Sequence, residues 1–152
     1  MIYLKSFNEG QFYTIGNILY NFAKDNLAYV LDDDKFHLFL DIHKRLSDSG
    51  RHNYYEFSLT NSYGFKWDDI KDYFIPFLQR LQKLDYVTIC PLGSTESEGK
   101  EIKVRLLGGF DLQKTDEFGF SKSVYYSLDD TINDNFYLEE ISKITFFIKQ
   151  IN

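Results

Sequence analysis

The stretch Leu31–Leu46, LDDDKFHLFLDIHKRL, sets three aspartates ahead of two histidines and a fourth aspartate, and it reads in two incompatible ways. As a helix, it puts Phe36, Phe39, Leu40 and His43 on one face, with His37 and Asp41 four residues apart at a spacing that can hold a metal. As a strand, it points Phe36, Leu38, Leu40 and Ile42 one way and Lys35, His37, Asp41 and His43 the other, with Phe39 alone out of pattern. The strand accounts for almost every position. It makes the preceding AYVL and DDDK a strand and a solvated turn. It also separates the histidines by six residues at about 3.3 Å each, on the order of 20 Å, which is too far to share a metal. On the helix reading, His37 and Asp41 still need a ligand from elsewhere, and His43 is rotated off their face. Downstream, Lys44, Arg45, Arg51 and His52 bracket the turn SDSG.

Working outward, IYLKS alternates as a short strand, and Asn8 with Gln11 reads as the N-cap of a helix over Glu9–Asp25 striped by Phe12, Ile15, Ile18, Leu19 and Phe22. A stronger helical face follows in Ile70, Tyr73, Phe74, Phe77, Leu78, Leu81 and Leu84. Asp68 and Asp69 suit its start, and Arg80 and Lys83 suit its end. Pro76 predicts either a kink near Tyr73 or a break into two helices. Tyr86–Cys90, Glu101–Leu107, Lys122–Leu128 and Lys143–Ile151 read as strands separated by GSTESEGK, GGFDLQKTDEFG and DDTINDN, the first taken as a hairpin tip. The expected fold is one α+β domain over residues 1–152, two main helices packed on a mostly antiparallel sheet of about six to eight strands.

Composition excludes more than it assigns. The chain has 43% hydrophobic and 26% charged residues, fifteen Phe and twelve Tyr, which places it in the globular range. Its one cysteine, Cys90, forms no internal disulfide and supports no zinc framework. The start MIYLKSF lacks the plan of a signal peptide, and no apolar run is long enough to span a membrane, so a cytoplasmic protein is expected. A net charge of −6 argues against generic phosphate-backbone binding, and no direct nucleic-acid or membrane partner is expected. The charge is uneven: residues 1–110 carry 13 basic and 15 acidic side chains, residues 111–140 carry 2 and 8, and residues 141–152 carry 2 and 0.

No catalytic, metal or cofactor site is expected. Cys90 beside Pro91 has no neighbouring base and reads as a buried strand end. Glu101-Ile102-Lys103 has the acid-x-lysine form found in metal-dependent nucleases, but such triplets arise by chance in a chain this charged. Gly108-Gly109 lacks phosphate-loop spacing, and there is no Gly-x-Ser-x-Gly elbow. What remains is the acidic run of Asp111, Asp116, Glu117, Asp129, Asp130, Asp134, Glu139 and Glu140, interleaved with aromatics that include Tyr125 and Tyr137. Carboxylates flanking aromatic anchors can dock a basic protein, with charge speeding encounter and rings supplying affinity.

In size, acidity, aromatic content and lack of a catalytic signature, the chain is similar to the small bacterial immunity proteins that inhibit a cognate toxin, often a basic nuclease. That resemblance implies a noncatalytic protein-binding module that neutralises or escorts a basic partner. The alternatives are a small hydrolase or metal-dependent nuclease with an acid/histidine site, and a structural or oligomer-forming subunit.

Overall fold

A computed structural model describes residues 14–33, 36–46, 53–90, 100–106, 123–135 and 140–151. Its first helix, α1 (Ile15–Asn26), opens at Thr14, whose hydroxyl accepts from the Asn17 N–H at 3.1 Å. The described helix is thus capped at Thr14, and residues 1–13, with the expected cap Asn8 and the expected first strand, fall outside the described residues. AYVL is not a strand. It forms a second short helix, α2 (Ala28–Leu31), because Leu27 N–H still donates to the Ala23 carbonyl and the backbone carries on helically past one break.

The strand reading of the opening stretch holds from Phe39 onward, in β1 (Phe39–Leu46). His37 departs from it. Its φ of 47° takes it out of extended backbone, so the strand starts three residues later than the apolar alternation from Phe36 suggests. β1 pairs antiparallel with β2 (Asn53–Phe65), from Phe39 opposite Thr60 to Leu46 opposite Asn53. SDSG lies outside the described residues. Near the end of β2, Gly64 has a φ of 91°, a left-handed conformation that favours glycine, where the register with the next strand shifts. There Asn61 donates to the Phe36 carbonyl and accepts from the Tyr63 N–H, tying the start of β1 to β2.

One helix, α3 (Trp67–Gln82), runs unbroken through Pro76, which corrects the two-helix alternative. Proline leaves the Asp72 carbonyl without its helical donor. Asp72 is on the exposed side, where water can take that bond, while Ile70, Phe74, Phe77, Leu78 and Leu81 hold the buried side to the sheet. The remaining elements are β3 (Val87–Cys90), β4 (Glu101–Leu106), β5 (Ser123–Ser127), α4 (Leu128–Ile132) and β6 (Ile141–Gln150). α4 occupies what reads in sequence as a separating turn, and its N-cap Ser127 accepts from the Asp130 N–H at 3.0 Å.

All six strands pair antiparallel in the order β1-β2-β6-β4-β5, with β3 also on β6. β3 meets Phe147–Gln150 and β4 meets Ile141–Thr145, so the two lie end to end along one edge of β6 and run in the same direction. GSTESEGK therefore does not turn a hairpin between them. Four helices cover one face of this sheet, with Phe57, Phe74, Phe77 and Phe146 at the centre; Phe57 and Phe146 stack at 4.4 Å between centroids. No described helix is long and apolar enough to cross a membrane.

Candidate functional site

Of the expected docking residues, five are described, and they lie on three parts of the fold: α4 and the turn after it, β5, and the residue before β6. Asp129 and Asp130 sit exposed in the first turn of α4, where the helix N-terminus favours negative charge. Asp134 is committed to the fold: its carboxylate accepts from Trp67 Nε1 at 2.6 Å and from Lys71 Nζ at 2.9 Å, while Lys71 also meets Asp68 at 3.3 Å. The lysine bond, then the indole bond, hold the Asp134 carboxyl below its ordinary value, and the two carboxylates hold the Lys71 ammonium above its own. Asp134 has a φ of 61°, which Asp tolerates better than most residues. Glu140 is half-buried just before β6. Tyr125 stands on β5 among cations and not among acids. Asp111, Asp116, Glu117, Tyr137 and Glu139 lie outside the described residues.

The helices instead assemble an acidic, aromatic surface from separate segments. Tyr29 after α1 and Tyr73 on α3 stack at 5.5 Å between centroids, and Tyr29 is 76% exposed. Asp25, Asp72, Pro76 and the Arg80–Asn26 pair line the shallow depression around them, about 290 Å³ in volume. Along the first half of α3 and in and just after α4, six carboxylates (Asp68, Asp69, Asp72, Asp129, Asp130 and Asp134) stand against Lys66 and Lys71. Tyr73 reads in sequence as part of the apolar helical stripe. The ring it meets comes from a segment that reads as a strand, so the pairing has no local signal.

Among the described residues no helix or strand covers the opposite face of the sheet, where Ser58 and Thr145 are nonetheless buried, and strand alternation determines what it presents. Arg45 and Glu56 pair at 3.1 Å, and the Arg45 guanidinium lies 5.7 Å from the centre of the Phe147 ring. With Lys103, Arg105, Lys143, Tyr125 and Thr145, these residues line a depression of about 320 Å³. It holds four cations and one carboxylate, a local surplus of three positive charges on a chain of net charge −6. Each residue comes from a different strand or an alternate position. Only Glu101-Ile102-Lys103-Val104-Arg105 carries a sequence hint, in its alternation of charged and apolar residues.

At the edge of the same face His43 Nδ1 lies 2.7 Å from Asp41 Oδ2, both on β1. This pair can orient an imidazole as a base. Among the described residues no hydroxyl or thiol hydrogen-bonds to His43, and Ser58, across the ladder from Asp41, is buried. Burial raises the Cys90 thiol to about 11, far from the range of a reactive thiolate. No three His, Cys, Asp or Glu side chains among the described residues come together as a metal would require.

Fold and surfaces together define an α+β domain with a four-helix layer on an antiparallel sheet, acidic and aromatic in the depression of its helical side and cationic in that of the other face. Comparison with protein-family models, with curated proteins and with solved structures finds no match for the chain.

Proposed function

We propose that the chain is a noncatalytic protein-binding module that neutralises or escorts a basic partner protein, in the manner of an immunity protein acting on a toxin. The observation that supports this most is the exposed Tyr29–Tyr73 stack set between Asp25 and Asp72. Paired rings offer a large apolar contact at low conformational cost, and such aromatics dominate binding energy at interfaces. The surrounding carboxylates, extended by Asp68, Asp69, Asp129 and Asp130, speed encounter with a basic surface and disfavour acidic competitors.

Affinity capture from the native host, followed by binding measurements with the captured basic protein, tests this reading. Tyr29→Ala is expected to weaken binding roughly thirtyfold, mostly through faster dissociation. Charge reversal at Asp72, Asp129 and Asp130 should slow association and flatten its salt dependence. A folded variant carrying all four changes that still binds with wild-type affinity would remove the proposal.

A further inference from the structure

Arg105 on β4 and Lys143 on β6 stand directly opposite one another in the ladder, and Lys103 follows two positions along β4 on the same face. Like charges directly opposite each other destabilise a sheet. No described carboxylate pairs with any of the three. A purely solvated surface gains nothing from this register, whereas an anion held among the three cations removes their repulsion. Beside them Tyr125, opposite Lys103 across the β4–β5 ladder, is 56% exposed, and Phe147 lines the same depression.

We propose that the sheet face opposite the helices binds a short segment of single-stranded nucleic acid, with phosphates held by Lys103, Arg105 and Lys143 and a base stacked on Tyr125. Open antiparallel sheets that carry exposed rings between cations recognise single strands in this way, because every base has a planar face and every linkage a charge. The rings favour this ligand over an acidic polypeptide, which would satisfy the cations equally but bring nothing planar to Tyr125. The net charge does not forbid it. The carboxylates of the helical surface lie across the sheet, and charges more than about 8 Å away are largely screened at physiological salt. Glu56, held by Arg45, bounds the depression toward β1 and β2. This inference uses none of the residues of the protein-docking proposal.

The test is fluorescence anisotropy of an end-labelled oligouridylate with the full chain at about 50 mM salt. Saturable binding is expected, with a slope of log K against log salt of about −2 for three phosphates neutralised. Lys143→Glu should weaken binding at least tenfold while placing opposite charges across the ladder, so the loss cannot come from a broken sheet. Tyr125→Ala should cost roughly tenfold with the salt slope unchanged, and Tyr125→Phe should retain affinity. Absence of saturable binding overturns the proposal, as does a Tyr125→Ala variant that binds like wild type. Equal competition by polyglutamate of the same length also overturns it, and assigns the face to an acidic polypeptide.

Discussion

The Asp134 carboxylate accepts from the Trp67 indole and the Lys71 ammonium where α3 meets the end of α4. Its depressed pKa means that it stabilises the fold above the ordinary carboxylate value of 3.8 and loses that contribution as pH falls through the lower folded value. Lys71 titrates in the opposite sense: its raised pKa gives a contribution that is complete below 10.5 and disappears as pH rises through the higher folded value. Asp134→Asn keeps a side chain suited to the left-handed backbone but removes the charge. Urea midpoints of wild type and variant should therefore differ at pH 7 and draw together as pH falls below 3.8. A constant difference across that range would show that the ion pair contributes nothing. The neighbouring Trp67, with its indole bonded and its ring edge-on to Phe74 at 5.8 Å, fixes the same junction from the apolar side.

Among the elements, the β4–β6 ladder carries a cost that a single change can relieve. Lys143→Glu is expected to stabilise the protein by about 0.2–1 kcal/mol, read as a higher denaturation midpoint, because a carboxylate then faces Arg105. An unchanged or lower midpoint would mean that the two cations do not repel across the ladder. The elements also mark where sequence reading succeeds and where it stops. α3 was legible because its buried residues recur at helical spacing over four turns, and β6 because apolar residues dominate it. AYVL misled because four residues fit either period, and its helical state comes from continuity with α1. Ser127 with Asp130 three residues on was a capping signal inside an apparent turn, and it announces α4. The end-to-end placement of β3 and β4 was invisible, since the hydrophobic pattern of a strand does not say which edge of β6 it takes. The cationic depression was hidden for a related reason: its residues are scattered from Arg45 to Phe147 and meet only through strand order.

At the scale of the whole molecule, the described residues set Asp25 and Asp72 beside the depression of the helical side and four cations against one carboxylate in the depression of the other face. Such a molecule should attract its own copies head to tail when screening is weak. Static light scattering at about 10 mM salt, where the Debye length is about 30 Å, is expected to show an apparent mass that rises with concentration. At about 0.15 M salt, with screening near 8 Å, the concentration dependence should disappear. Concentration-independent mass at both salts would show that the two faces are too diffuse to sense each other.

β6 is bordered by β2 on one edge and by β3 and β4 on the other, and it is the last of the ten described elements in chain order. During synthesis the β1–β2 hairpin emerges early, but its inner edge stays unpaired until β6 leaves the ribosome. At ordinary elongation rates that interval is on the order of ten seconds. Throughout it, Phe57 and Leu59 lack their sheet neighbours, and the exposed edge of β2 is a template for any passing strand. The nascent chain's vulnerability to aggregation is thus set by when its central strand arrives, and a chaperone that shields the β2 edge during that interval would raise the yield of folded protein.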